Sequence, residues 1–358
     1  MKKILLVVLA VVFAASSSAW AGDVTVAGYM APNLKMIDKG EDNASNLGFG
    51  MAFNRFLFKG EMDGGAVVKK VAWRVESDIS MSGTHKLQWA YVQPKFSDVF
   101  SLRLGHVKEP FSREILHSTP KLLTVDRHFS GKLSALGYGG FNYGLEAHVK
   151  TEMFKLQAGA YDGNGAQSKV GYQDPCIDFG LRGILTPSVE GLEIGANVMM
   201  VSLPNGGHGD GGTYADSDAN ELLTNSAMAF GCDLDYQKAF GEMSLWAQAE
   251  FETGDNWTQQ DGTDPWDEAE FFSFQYLYAK ALFMVSKDFG LHLGFSQYDP
   301  NTDGDAEGDS ETLITPGVVY KWCKNMRTQA EVQLHTYEGI DEDVDYTHFV
   351  LQTIFIWP

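Results

Sequence analysis

Five basic side chains, Lys108, Arg113, Lys121, Arg127 and Lys132, fall within 25 residues of a chain with 27 Lys and Arg against 47 Asp and Glu, a formal charge of -20. Cations gathered on one segment either attract anions or pair with carboxylates. Glu114 beside Arg113 and Asp126 beside Arg127 offer such pairing, so both readings stand. The wider stretch Ser101 to Ala160 keeps eight bases against five acids. The reverse holds in Pro204 to Thr224, Gly254 to Glu270, Asp299 to Glu311 and Glu338 to Tyr346, which together hold 21 acids and no Lys or Arg. These four segments carry nearly the whole net charge, so that charge says little about the rest. It does exclude a nucleic-acid surface, because so acidic a chain repels phosphate backbones.

Asp299, Asn301, Asp303 and Asp305 have the spacing that opens a calcium loop, with Gly304 at the turn. The twelfth position is Ser310 rather than Glu, so a solvated acidic loop is the competing reading. A looser form of cation binding is the sharing of divalent ions with neighbouring lipopolysaccharide. No other cofactor is expected. The nine His are scattered, with no H-E-x-x-H, G-x-S-x-G or phosphate-binding glycine loop, so no enzyme is expected. Cys176, Cys232 and Cys323 are too few and too far apart for a disulfide framework or a zinc site, and their pairing stays open.

Strands must position these groups. From Met243, residues 243, 245, 247, 249 and 251 are apolar or small while Ser244, Trp246, Gln248, Glu250 and Glu252 alternate with them. That period of two predicts a β-strand. Met326 to Thr336, Phe141 to Lys150 and Val71 to Asp78 repeat it. About sixteen such segments are predicted, with a bulge near Arg55 where the alternation changes phase. Seven connections are tight and eight others, nearly all longer, alternate with them. This predicts an all-β fold: a transmembrane up-and-down antiparallel barrel with short periplasmic turns and long outer loops. Lys2 and Lys3, an apolar run and Ala19-Trp20-Ala21 predict a signal peptide over 1–21. Its removal leaves residues 22–358 as the barrel, with charge -22. The polar strand faces line a wet lumen, so Arg74, Arg103, Lys150 and Arg327 are expected to face it. Trp73, Trp89, Tyr91, Phe141 and Tyr143 are expected on the lipid side, and Trp246 and Tyr161 in the lumen. Residues 112–139 form a connection too long for a hairpin and are read as an inward-folding constriction loop. A soluble all-β protein, such as a secreted hydrolase or binding protein, and a plugged barrel serving as receptor, adhesin or scaffold are the alternatives.

The segment Gly105-His106-Val107-Lys108-Glu109-Pro110-Phe111-Ser112-Arg113-Glu114 resembles the G-x-x-K-x-P-F-S-x-E stretch of the phosphate-selective porins O and P. The recognisable part covers about Trp89 to Arg127. The resemblance implies a sixteen-stranded barrel in the outer membrane of a Gram-negative bacterium, a homotrimer whose third loop enters the lumen. It implies passive diffusion of small hydrophilic solutes or anions, phosphate among them. The anion-guiding positions it implies are Lys108, Arg113, Lys121 and Arg127, to which Lys132 is added on its place in the loop. The chain departs from the family in its acidic loops, in the lack of a traceable basic ladder, and in ending on Pro358.

Overall fold

The computed structural model describes residues 24–38, 46–79, 85–163, 177–202, 226–256, 272–302, 310–338 and 345–357. Within them sixteen antiparallel strands close into one barrel, each pairing with its sequence neighbours and the first with the last. The strands are β1 (Val24–Asp38), β2 (Asn46–Asp63), β3 (Lys70–Ile79), β4 (His85–Lys95), β5 (Phe100–Lys108), β6 (Phe141–Lys150), β7 (Phe154–Asp162) and β8 (Ile177–Leu185). They continue as β9 (Leu192–Ser202), β10 (Ser226–Phe240), β11 (Met243–Asn256), β12 (Phe272–Met284), β13 (Phe289–Asp299), β14 (Glu311–Cys323), β15 (Met326–Tyr337) and β16 (Tyr346–Trp357). The expected strands Phe141 to Lys150, Met326 to Thr336 and Val71 to Asp78 coincide with β6, β15 and β3 to within one residue. The signal segment 1–21, Cys176, Asp303 and Asp305 lie outside the described residues. Cys232 and Cys323 are free and exposed.

Alternation decides which face meets lipid. Leu104, Leu234, Leu293 and Phe349 are exposed on the outside, while Arg103, Asp233, His292 and Val350 beside them in sequence turn inward. So large an apolar exterior is unstable in water and at home in hydrocarbon. Where β1 closes on β16, Gly28 pairs with Trp357. A Cβ at Gly28 would sit 2.4 Å from the Trp357 ring, so only glycine fits there.

Among the described residues three irregularities interrupt the register, one at Trp322 near the end of β14 and two nearer the start of the chain. Ala31 faces Phe53 but Pro32 faces Met51, which leaves Ala52 as the extra residue of β2. Pro32 has no N–H to give the ladder, and a bulge opposite it costs little. This is the phase change expected near Arg55, placed three residues earlier. A second bulge sets Glu76 opposite Trp89 but Ser77 opposite Leu87, so Gln88 is extra. Leu87 and Trp89 therefore point to opposite faces, and Trp89 and Tyr91 turn inward. The outward placement expected for these two rings is corrected by that one residue.

Candidate functional site: the lumen and its loop

Residues 109–140, between β5 and β6, enter the lumen as two short helices, α1 (Arg113–Leu116) and α2 (Ser130–Ala135), joined by a 3-10 turn at Thr119–Lys121. The stretch at its start that carries the family resemblance is a structural root. Gly105 has φ +137, and a Cβ there would lie 2.2 Å from the Ala90 carbonyl oxygen. The Lys108 ammonium donates to the Ile115 carbonyl, and Lys108 lies 5.1 Å from the Phe141 ring centre. Phe111 is fully buried. Ser112 takes φ 56, a strained value for a side-chain-bearing residue, and its Oγ accepts the Ile115 N–H at 3.3 Å to cap α1. Glu109 accepts the Gly140 N–H at 2.7 Å and the Asn142 amide at 2.5 Å, tying the two ends of the loop together.

Beyond its root the loop lies on β9 to β15. Phe111, Ile115, Phe129, Leu133, Leu136 and Tyr138 pack against Met199, Val201, Phe274, Tyr276, Tyr298 and Leu313. Each such buried side chain contributes roughly 1.5–3 kcal/mol relative to exposure. Polar contacts fix the register. Arg113 Nε donates to Asp233 Oδ1 at 2.5 Å, and the same guanidinium reaches Glu193 at 3.3 Å and Asp235 at 3.2 Å. Glu114 pairs with Lys280 and accepts the Tyr276 hydroxyl at 2.8 Å. Glu250 accepts the Glu114 N–H at 3.1 Å, and Glu331 the Val125 N–H at 2.8 Å. His128 bonds to Ser296. Lys132 donates to Glu311 at 2.6 Å. Arg327 and Gln329 donate to the Leu122 and Leu123 carbonyls at 3.0 and 3.1 Å. Lys35 of β1 closes the far side on Asp126 at 2.8 Å.

Ionisation follows from these surroundings. Burial would push Glu114 up, but Lys280, His128 and the Tyr276 hydroxyl overcome it and hold the carboxyl at about 2. Burial pushes Glu109 up to about 8, against the hydrogen bond from Asn142. Burial, with Arg113 behind it, brings His117 down to about 4, so its imidazole is neutral at physiological pH. Burial pulls Arg127 below its ordinary value, Glu114 opposes and Arg55 adds to the lowering.

The expected site residues therefore separate. Lys108 and Arg113 are buried and engaged with loop and wall. Arg127 is half-buried and donates to the Glu114 and His117 carbonyls. Lys132 is exposed but paired with Glu311, and Lys121 is exposed. Arg327 lies beneath the loop, whereas Arg74, Arg103 and Lys150 lie on the uncovered side. Asp299 Oδ1 accepts the Asn301 N–H at 3.0 Å in a tight local turn. Among the described residues no three His, Cys, Asp or Glu gather as a metal site.

The wall from β2 to β8 is left open, and its basic groups were largely missed from sequence. At the short-turn end it encloses a cavity of about 690 Å³, lined by Lys69, Lys70, Lys95, Arg103, Lys150, Lys155 and Arg182, with Glu61 and Asp98 as its carboxylates. Deeper in, Arg55 donates through Nε to Asp78 at 2.8 Å, and Arg74 pairs with Glu76. Arg103 donates to Glu146 at 3.0 Å. Arg74 sits 5.1 Å from the Trp89 ring centre, and Arg103 4.7 Å from that of Tyr91. The signal for this wall was the polar alternation Arg74-x-Glu76-x-Asp78 on β3.

Solved structures share this architecture. An anion-selective porin from Comamonas acidovorans is 13% identical with a TM-score of 0.65, covering 94% of this chain and 99% of its own. The outer-membrane channel DcaP of Acinetobacter baumannii is 14% identical with a TM-score of 0.66, covering 94% and 98%. OmpT of Vibrio cholerae in its trimer form is 13% identical with a TM-score of 0.60, covering 94% and 99%. At these identities the likeness is one of fold. No curated protein matches by sequence. The model of the family described as phosphate-selective porin O and P matches residues 26–352. Spanning nearly the whole barrel, that match establishes that the chain belongs to this family of porins, channels for passive diffusion across the bacterial outer membrane.

Proposed function

We propose that the channel prefers anions and passes small hydrophilic solutes and anions as a homotrimer, without catalysis. The observation that carries this reading is the basic cavity at the periplasmic end of the open half-lumen, lined by seven Lys and Arg with Glu61 and Asp98, while Glu146, Glu193 and Asp233 hold Arg103, Lys155 and Arg182 from behind. Cations on the walls of a narrow wet passage lower the barrier for anions and raise it for cations. Charge is screened over about 8 Å at physiological salt, so carboxylates farther than that from the cavity do not cancel it. The trimeric Vibrio protein of like fold supports the assembly. The apolar belt is read as resting in lipid, with lipopolysaccharide around the outer mouth.

The test is the reversal potential of single pores in a KCl gradient. Wild type should reverse on the chloride side, and a variant with Lys70, Lys95, Lys150 and Lys155 changed to Gln should lose most of that preference. Potassium preference in wild type would sink the anion reading. Folded protein that conducts nothing would favour the plugged barrel.

A further inference from the structure

The guanidinium groups of the open wall face the lumen, yet Arg103 and Arg55 are each held through two or more nitrogens, while Arg74 is held through Nη2 and its buried Nε has no partner among the described residues. Arg103 gives Nη1 to Glu146 at 3.0 Å, and Nε and Nη2 to Gln93 Oε1 at 3.3 and 3.2 Å. Arg55 gives Nε to Asp78 at 2.8 Å, and Nη1 to the Tyr29 hydroxyl at 3.3 Å and to Glu76 at 3.4 Å. Arg74 gives Nη2 to the other oxygen of Glu76. Tyr29 donates to Glu76 at 2.5 Å and completes its burial. The carboxylates are recessed: the Glu76 and Glu146 side chains are 0% exposed, against 12%, 26% and 17% for Arg55, Arg74 and Arg103. At Glu76 and Glu146 a passing ion thus meets guanidinium before carboxylate, whereas Asp78 stays 18% exposed beside Arg55.

Two consequences follow from the chemistry. Positive charge nearest the lumen still attracts anions, though the carboxylate behind it weakens the field. Tight binding of a phosphate group asks for more, namely two parallel N–H donors from one guanidinium edge. On Arg103 both N–H edges are committed, and on Arg55 and Arg74 donors are held by Asp78 and Glu76. We infer that Glu76 and Glu146 determine how long anions stay in this channel: they hold the wall arginines so that these guide anions without gripping them, and inorganic phosphate passes without being retained. The inference deepens the anion-channel reading and rests on it.

Glu76 and Glu146 are therefore specificity-determining through the arginines they hold. The experiment titrates inorganic phosphate into the chloride current of single wild-type pores and of Glu76→Gln/Glu146→Gln pores. Wild type should show half-block no tighter than the millimolar range. The double variant frees donors and unmasks charge, so its half-block should fall by about tenfold or more, the gain expected from one added charge-assisted hydrogen bond. Its reversal potential should also move further toward chloride. Gln93→Ala opens the second edge of Arg103 without touching a buried charge, and a several-fold tighter block is expected there even if the double variant fails to fold. A chloride-preferring wild type blocked by micromolar phosphate would overturn this inference and leave the anion channel intact. So would variants whose phosphate block matches wild type. Potassium preference in wild type would instead bring down the reading beneath it.

Discussion

Glu109 ties the first residue of the inward loop to the last, and it does so as a buried acid. With its carboxyl pushed up to about 8, it keeps its proton at neutral pH in the folded protein, whereas in the unfolded chain it ionises near about 4.3. The sign follows from proton binding. Between those two values the folded state holds one more proton, so stability falls as pH rises, by up to about 1.4 kcal/mol per pH unit. The contribution is fully present below about pH 4.3 and is lost as pH passes about 8. Glu109→Gln cannot ionise; its one amide oxygen keeps one of the two bonds from Gly140 and Asn142, so the comparison rests on how stability changes with pH and not on its absolute value. The gel-shift melting temperature of wild type should decline from pH 6 to pH 9 relative to this variant, and the two should converge near pH 4. Parallel curves would show that Glu109 is already ionised at neutral pH. The same scale explains one failure of sequence reading. Leu87, Trp89 and Tyr91 share a parity in the sequence, and strict alternation sends all three to lipid. The single extra residue Gln88 separates Leu87 from the two rings. A bulge on β4 leaves no local mark, because its cause is the register with β3.

The loop is the element that fills one half of the lumen, and its anchoring can be read in parts. Lys280 and Glu114 form a buried pair, with side chains 3% and 2% exposed. Removing one partner of such a pair costs about 3–5 kcal/mol, while replacing both with neutral groups of similar size is often nearly neutral. Lys280→Met should therefore loosen the loop, seen as flickering open-channel current and a lower melting temperature. Adding Glu114→Gln should restore much of both. If the double variant is as noisy as the single one, the pair is not what holds the loop. How much of this was legible follows from distance along the chain. The sixteen strands were readable because alternation is local, and the loop because 28 residues exceed a hairpin. The motif around Lys108 marked where the loop begins. What Arg113 and Glu114 do was not readable, because their partners stand 120 and 166 residues away and meet them only when the barrel closes. The polar face of β11 with Glu250 reads from sequence as part of a wet lumen wall; with Asp233 and Asp235 of β10 it is the floor on which the loop rests.

At the scale of the whole molecule, a loop fastened along one side divides the lumen in two. One half, against β9 to β15, is filled by side chains as a soluble core would be. The other, against β2 to β8, keeps the arginines and the basic cavity. On the anion reading proposed above, selectivity belongs to the wall and the anchoring of the loop to the opposite strands, so changes on one side should leave the other intact. Single cysteines test the division directly in a background with Cys176, Cys232 and Cys323 changed to Ser. Gln93 and Gln157 line the open cavity, whereas Ser296 and Gln329 lie buried under the loop. A negatively charged methanethiosulfonate reagent should enter the open half, modify Gln93→Cys and Gln157→Cys and lower the anion current. The same reagent should leave Ser296→Cys and Gln329→Cys unmodified until the loop is freed, as by Lys280→Met. Equal reactivity at all four positions would mean that ions travel on both sides of the loop. The wall from β2 to β8 would then no longer set selectivity alone, because carboxylates such as Asp235 and Glu331 would face the conducting path beside the arginines.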